Sequence, residues 1–422
     1  MAVATAPALS LPLDPETVER LAVGRNEPDW LRDLRLAAAR DYAALTWPTG
    51  AEEEWRRFPL AGLPGLGSPP VVRAQGGYTA TYSATPAGVA AGKLTQMSVA
   101  HPTLVRPWLE RPGAIASHAP FAALARAMWS GGSTFLHVSG GTLVREPIII
   151  SNHWEAGANA LIARTIIVLE PGSSATVVEE LTSDGGGPGR LAIPQLDVHL
   201  GAGARLRYVR TQRFGDDVWD LSSQRYVSER ESELASFNVL TGARKAKVGV
   251  ESDIRADGAN VKLYGLVAAG AEQRIDVNSF QRLDGKGSNS DLLYLSALYD
   301  AAKAIFYGII RVEPTSSGTG SYQECRNMLL SPKAGADPIP VLEILTNDVA
   351  RCGHGATAGA IEDSELFYVM SRGLTHDAAE KLLVRGFFQR VIDHLPDPRV
   401  RALIVDALAS RIGRLAELED VA

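Results

Sequence analysis

Two kinds of hydrophobic periodicity divide the chain. Residues 15–45 and 119–129 carry apolar side chains at helical spacing, and the same spacing returns after residue 361, where Thr375 is placed as an N-cap. From about residue 133, alternating runs bounded by Gly, Asp, Asn or Pro predict strands at 134–138, 148–150, 160–169, 176–179, 206–209, 261–263 and 305–312. This pattern predicts a mixed, largely helical region over 1–132 with a linker at 59–75, a β core over 133–360 and a helical C-terminal domain over 361–422.

A weak repeat runs through the β core. Gly172, Gly203 and Gly258 each precede a short alternating run, Glu231 precedes another, and Gly285 continues the series. Successive members of this series are separated by similar intervals, of roughly 30 residues, which is within the range of known repeat architectures. One turn with short strands at such a period indicates stacked rungs, because these segments lack the helical periodicity of βαβ units. We therefore expect a parallel β-helix or related β-solenoid of roughly eight rungs, each about 4.8 Å high.

A parallel solenoid predicts which side chains stack on one another in its interior. Ala175, Leu206, Leu234 and Val261 occupy equivalent inward positions of successive repeats and should stack in one column. The alternative is an antiparallel β-sandwich, whose strands also recur every 8–12 residues or so.

Composition narrows the class of protein. Apolar residues make up 45% of the 422 positions and charged residues 21%, with a formal net charge of −6. That acidic balance argues against a nucleic-acid-binding surface. No apolar run approaches the roughly 18 residues of a membrane span, and residues 1–13 lack the features of a secretory signal. With Cys325 and Cys352 as its two cysteines, the chain has no disulfide framework, so we expect a cytoplasmic protein with no nucleic-acid or membrane partner.

Cys352 and His354 have a spacing that suits metal ligands. One residue separates them, so on an extended strand both side chains leave the same face, with Cα atoms about 6.5–7 Å apart. A thiolate and an imidazole suit iron, zinc or copper. Two ligands do not complete a four-coordinate site, so others must come from elsewhere in the chain, from a partner or from a cluster's sulfides. The alternative is a buried thiol beside a solvated imidazole.

Cys325 is a third candidate ligand. It precedes Cys352 by the same interval that separates Gly258 from Gly285, so the two thiols are expected on neighbouring rungs if both belong to the stacked core. Arg326 and Arg351 flank the two cysteines, and either guanidinium would lower a thiol pKa if it reached the sulfur. The chain contains no P-loop, no Gly-x-Ser-x-Gly elbow and no His-Glu-x-x-His motif.

The segments around these residues resemble the SufB/SufD family of iron–sulfur cluster assembly proteins. The similar segments are residues 326–334, 340–344, 348–349, 352–359, 366–368 and 371–374, together with 27–31 and 52–58 near the N-terminus. Cys352-Gly353-His354-Gly355-Ala356-Thr357 is similar to the SufD branch, since the SufB branch usually has Glu at the position of Gly355. Cys325 falls where the SufB branch carries its cluster-associated thiol.

The resemblance implies a mainly β fold, with a right-handed parallel β-helix core flanked by N- and C-terminal helical regions. It implies a non-enzymatic scaffold subunit of a SufBCD-type complex that binds no nucleotide itself. The implied partners are a SufB-like paralogue, joined through the β-helix, and a SufC-like ABC-type ATPase, bound by the C-terminal domain. A homodimer is the alternative for the isolated chain.

For the site, the resemblance implies that His354, with Cys352 beside it, ligates a transient iron–sulfur cluster shared with the partner chain. Two functions of other classes stay open at this point. They are a β-helical enzyme acting on polysaccharide, which would need a row of Asp, Arg or Lys along one solenoid face, and a purely structural solenoid adaptor.

Overall fold

The computed structural model describes residues 13–65, 77–83, 85–111, 118–130, 132–157, 159–185 and 189–412. The predicted linker at 59–75 and the predicted helical domain at 361–422 extend in part outside these residues. Within them the helices are α1 (Pro15–Gly24), α2 (Asp29–Ala44), α3 (Glu53–Arg56), α4 (Leu94–Ala100), α5 (Pro102–Leu109), α6 (Ala119–Met128), α7 (Asp363–Met370), α8 (His376–Ile392) and α9 (Pro398–Ile412). No helix in this part of the chain has the length and apolar character needed to cross a membrane.

The core is a parallel β-solenoid of about eight turns built from two facing sheets. Sheet A contains β1 (Tyr78–Tyr82), β4 (Ile148–Trp154), β6 (Ser174–Ser183), β8 (Arg205–Arg213), β10 (Glu233–Leu240), β12 (Asn260–Ala269), β14 (Asn289–Leu298), β16 (Thr319–Leu329) and β18 (Val349–Ala360), in that order. Sheet B contains β2 (Val89–Lys93), β3 (Thr134–Val138), β5 (Ala160–Leu169), β7 (Arg190–Leu200), β9 (Val218–Ser228), β11 (Lys245–Ile254), β13 (Arg274–Leu283), β15 (Lys303–Val312) and β17 (Gly335–Ile344). The predicted solenoid is thus confirmed.

The predicted inward column is also confirmed. Ala175 pairs with Leu206, Leu206 with Leu234, and Leu234 with Val261, and all four side chains are buried. The column continues through Ser290 and Ser321 to Cys352. Alternation of apolar and polar residues locates this column because only one face of each strand looks into the solenoid.

A column of tight turns accounts for the repeat. Gly172, Gly203 and Gly258 all have positive φ, and Glu231 adopts the same left-handed conformation with φ of 54°. Each turn donates its N–H to a carbonyl of the next turn, as Gly172 does to Ala202. Gly285 is the wrong fifth member of the series. The equivalent turn residue is Gly287, with φ of 60°, because this rung is slightly longer than the one before it.

The two ends of the solenoid differ. At the N-terminal end, β1 pairs with β4 and β2 pairs with β3, and both pairs are antiparallel. These two short strands interrupt the largely helical N-terminal region, and hydrophobic periodicity does not reveal them. At the C-terminal end, β17 pairs with β15 and β18 pairs with β16, and no strand among the described residues pairs with the other edge of either. The solenoid therefore ends in short antiparallel strands at one end and in the long parallel strands β17 and β18 at the other, which is called the open end below.

Helices cover the outer faces of both sheets. Trp55, Phe58 and Phe121 of the N-terminal region pack on sheet B beside Ile193 and Leu221. On sheet A, α8 and α9 bury the side chains Val384, Phe388, Ile404 and Leu408 against Val209, Phe237 and Leu266. Thr375 caps α8 as predicted, because its side chain accepts a hydrogen bond from the Ala378 N–H.

Candidate functional site

The open end exposes side chains that elsewhere form the solenoid interior. Register places Pro338, Leu342 and Ile344 of β17 in line with buried residues of β15. On the last rung these inward side chains are only half-buried or, like Ile344 at 42%, exposed. An apolar interior column that ends at solvent is the kind of surface that another chain covers.

Two prolines remove hydrogen-bond donors from the free edge of β17. The Gly335 N–H donates to the Ala302 carbonyl, so odd-numbered residues of β17 point their peptide groups towards β15. Even-numbered residues point theirs to the free edge, because the direction alternates along a parallel strand. Pro338 and Pro340 are even-numbered and have no N–H. The edge of β17 consequently lacks two donors in its middle.

The free edge of β18 keeps its donors. The Gly320 N–H donates to the Ser288 carbonyl on the side of β14, so Ser321 points its peptide group towards β18, opposite Cys352. The alternation then leaves the peptide groups of Cys352 and His354 at the free edge. No proline interrupts β18, so this edge can accept an added strand over its whole length.

Cys352 and His354 lie together at the open end, on the inward face of β18. Cys352 is half-buried and packs against the core, and burial raises the pKa of its thiol. His354 follows the buried Leu292 and Gln323 in its column but is itself exposed. The sequence prediction that the two side chains share a face agrees with this register.

The glycines around His354 leave room for a neighbouring ring. A Cβ built on Gly355 would come within 2.9 Å of the Tyr322 hydroxyl oxygen, and one on Gly353 within 3.4 Å of the Tyr322 ring. A glutamate in place of Gly355 would therefore require Tyr322 to move. This contact gives a physical reason for the glycine at the position where the SufB branch usually has glutamate.

Cys325 lies deeper than the other two candidates. It is buried, it occupies an inward position of β16, and its register partner on β18 is Ala356 rather than Cys352. Four residues along a strand separate Ala356 from Cys352, which is roughly 13 Å. The two cysteines lie on neighbouring strands, as expected. They are not in register, because the local rung is longer than the interval that separates them in the sequence.

The environment of Cys325 keeps its thiol protonated. Burial raises the pKa to about 12, although the Asn327 side chain, with Nδ2 3.5 Å from Sγ, partly opposes this shift. Arg326 bonds to Glu324 instead, and Arg351 forms two 2.7 Å contacts with Asp291. Neither guanidinium lowers a thiol pKa here, and the structure does not bring Cys325 to the pair formed by Cys352 and His354.

A polar network inside the solenoid escaped the sequence analysis. Glu179 is buried and accepts hydrogen bonds from Tyr208, from Arg210 Nε at 2.9 Å, from Thr165 at 2.7 Å and from Asn152 at 3.3 Å. Register extends its column through Arg210, Asn238, Gly265 and Tyr294 to Cys325. Alternation along β6 predicts that Glu179 points into the solenoid. It does not predict the partners of Glu179, because they lie on different rungs.

The C-terminal helices leave one apolar surface uncovered. None of the residues of α7 is buried, and Phe367 and Tyr368 are 73% and 60% exposed. Met370 and, on α8, Leu382 extend the same exposed character. Large apolar side chains that are exposed together on one helix are typical of an interaction surface.

Three or more His, Cys, Asp or Glu side chains do not gather into a metal-binding group anywhere in the described ranges. His354 and Cys352 therefore supply at most two ligands from these residues. The arrangement differs from a closed structural metal site, which needs about four protein ligands.

Comparisons with known proteins identify a family. Residues 150–387, more than half of the chain, match the family model described as SUF system FeS cluster assembly, SufBD core domain. An iron–sulfur cluster assembly SufBD family protein of Mycobacterium bovis is 28% identical over 385 residues, covering 88% of this chain and 91% of that protein.

The SufD and SufB proteins of Bacillus subtilis are both similar to the chain. SufD is 27% identical over 74% of this chain and 71% of its own length, and SufB is 26% identical over 65% and 59%. A SufBD family protein of Mycobacterium leprae matches over 55% of its own length at 29% identity, so the matched part is little more than half of that relative. The chain belongs to the SufBD family of the SUF system, which functions in iron–sulfur cluster assembly.

Proposed function

We propose that this chain is a non-enzymatic scaffold subunit of the SufD type, which contributes His354 and Cys352 to a nascent iron–sulfur cluster at an interface with a SufB-like partner. One observation carries the proposal: the open end of the solenoid presents both side chains beside a free strand edge. An exposed imidazole and a half-buried thiol suit iron, but they are two ligands short of a four-coordinate site. A second chain at this edge supplies the remainder.

Strand addition at β18 is the proposed mode of assembly. The edge of β18 carries uninterrupted donors, whereas Pro338 and Pro340 weaken the edge of β17. Main-chain hydrogen bonds give an added strand its affinity. Burial of the half-exposed interior column, including Leu342 and Ile344, adds hydrophobic stabilisation. Without the SufB-like partner, a second copy of this chain is the substitute occupant.

The alternative of an enzyme on polysaccharide receives little support. Sheet B does carry a charged row on its outer face, but the charges pair with one another. Arg164 lies 3.0 Å from Asp197, Arg225 lies 3.3 Å from Asp253, and Arg282 lies 2.8 Å from Glu313. Side chains that pair with one another in this way have few free donors and acceptors left for a sugar substrate.

Cluster formation in the reconstituted complex tests the site. His354→Ala should abolish the iron–sulfur absorption of the complex after anaerobic addition of iron and sulfide, while the far-ultraviolet circular dichroism of the chain stays unchanged. The matched control is His101→Ala, since His101 is also exposed but lies in the N-terminal region. Cys325→Ser should have a smaller effect. If the His354 variant matured clusters normally and the Cys325 variant did not, sulfur handling would lie inside the solenoid and the proposed site would be wrong.

We further propose that α7 and the adjoining surface of α8 bind the SufC-like ATPase. The support is the exposure of the apolar side chains Phe367, Tyr368 and Leu382 on these two helices, in a chain that has no P-loop of its own. Phe367→Asp should remove the ATPase from a pull-down with the full chain. Val99→Asp alters a similarly exposed apolar residue, on α4, and should leave capture intact. Equal capture by both variants would refute this docking surface.

A further inference from the structure

A cationic cavity lies on the outer face of sheet A, beside the end of α8 and separated from β18 by β14 and β16. Its volume is about 310 Å³, and Arg205, Arg207, Glu233, Lys262, Tyr264 and His394 are among its lining residues. This size falls at the lower end of small-molecule pockets, which span roughly 300–1,000 Å³. The four strands that form its floor belong to the rigid solenoid.

Two cations converge on a small residue at the centre of the floor. Ala235 of β10 pairs with Arg207 of β8 on one side and with Lys262 of β12 on the other. Neighbouring strands are about 4.8 Å apart, so the two cationic residues stand roughly 10 Å apart across the alanine. The methyl group of Ala235 leaves open the space between them, and both long side chains can reach into that space.

Neither cation has an anionic partner among the described residues. Arg207 makes no ion pair, and its Nε is buried without a hydrogen-bond partner. The nearest carboxylate in the row of Lys262 is Asp291, but both Asp291 oxygens contact Arg351 at 2.7 Å. The Glu233 carboxylate in turn lies 3.5 Å from Arg205. Asp291 and Glu233 are thus engaged by other cations, and no ion pair joins a described carboxylate to Arg207 or Lys262.

Aromatic rings form one wall of the cavity. His394 stacks on Tyr264 with ring centroids 4.6 Å apart, and Tyr264 stacks on Phe237 at 4.7 Å. His394 lies just after α8, so this stack also fixes the C-terminal domain against the solenoid. The hydroxyl groups of Ser174 and Thr176 complete the lining on the opposite side.

We propose that this cavity binds a phosphate-bearing small molecule, with a phosphate group held over Ala235 by Arg207 and Lys262. A guanidinium presents a planar set of donors that matches phosphate oxygens, and an ammonium adds a point charge. The buried, unpaired Nε of Arg207 gains a partner in this arrangement, which removes the cost of an unsatisfied polar group. The concave shape favours a small molecule over an extended polyanion.

Titration calorimetry of the full chain with inorganic pyrophosphate tests the proposal. The unmodified chain should bind at one site, and the double variant Arg207→Gln/Lys262→Gln should weaken the affinity by about tenfold or more, because charge-assisted hydrogen bonds are lost. Ala235→Glu leaves both cations in place but puts a carboxylate between them, and it should have the same effect. Lys286→Gln, an exposed lysine in a turn of the same solenoid, should bind like the unmodified chain.

Either of two results would overturn the assignment. One is the absence of binding to the unmodified chain, and the other is equal affinity in the control and in both cavity variants. Melting curves identify a variant that fails to fold. One cavity variant removes the two cations and the other adds a carboxylate between them, so either variant can test the site if the other is unstable. Cluster formation does not enter this measurement, so its outcome is independent of the proposed scaffold role.

Discussion

Replacing Glu179 by alanine should destabilise the solenoid strongly. Its carboxylate and the Arg210 side chain are 1% and 2% exposed, and their closest atoms are 2.9 Å apart. Removal of one partner from a buried ion pair typically costs about 3–5 kcal/mol, because the other charge stays buried without compensation. That amount is a large part of the roughly 5–15 kcal/mol by which folded domains are stable.

Glu180 provides a matched control on the same strand. It is the next residue of β6, points to the outer face, and lies 3.4 Å from Arg213, with both side chains partly exposed. Such pairs contribute about 0–1 kcal/mol. Urea unfolding followed by circular dichroism should therefore show a much larger loss for Glu179→Ala than for Glu180→Ala. A loss below about 1 kcal/mol for Glu179→Ala would refute the view that this carboxylate holds the interior network together.

Three further outcomes follow from burial. Iodoacetamide at pH 8 should label Cys352 in the native chain and reach Cys325 only after unfolding, since burial raises the Cys325 pKa to about 12. Mass spectrometry distinguishes the two labelled sites, and equal labelling of both in the native chain would contradict this difference. Burial lowers the pKa of His118 to about 3 from 6.5, so the unfolded chain takes up a proton as the pH falls below 6.5 and native stability declines. His118→Gln should remove about 2 kcal/mol of the loss between pH 7 and pH 5 in urea titrations, and an unchanged pH dependence would count against it. Gly265→Ala should lower the melting temperature and reduce the free energy of unfolding by about 1–3 kcal/mol, because the new Cβ would lie 2.1 Å from the Tyr294 ring. An unchanged melting curve would show that the ring has room to move.

The solenoid is predictable from the sequence because its rules are local. Each rung repeats a turn and an alternating strand, so Ala175 and Val261 can be assigned to one interior column from their distance to the turns. Even Glu231 falls at its correct place in the series, although a glutamate seldom adopts positive φ. The repeat period therefore predicts where a residue lies relative to the turn of its own rung.

Register between distant rungs is not predictable in the same way. A few extra residues in one rung shift every later position, which is why the period points to Gly285 instead of Gly287 and why Cys325 faces Ala356. The hydrogen-bond partners of Glu179 come from strands of both sheets, and a local sequence pattern does not predict which residues they are. The antiparallel caps β1 and β2 depend on contacts with β4 and β3, so their short sequences carry little signal.

The difference between the two ends of the solenoid sets a limit on polymerisation. A stack of strands with two open ends can grow without limit, as amyloid does. Here the edge strands at the N-terminal end, β1 and β2, have 5 residues each, whereas β18 has 12, and a short edge strand is a poor template for strand addition. Each chain is therefore expected to add a strand at β18 only. Two chains that join at their open ends use up both free edges of β18, and growth stops. The proposed pairing therefore yields a discrete particle with two solenoids, whose mass stays constant as the protein concentration rises.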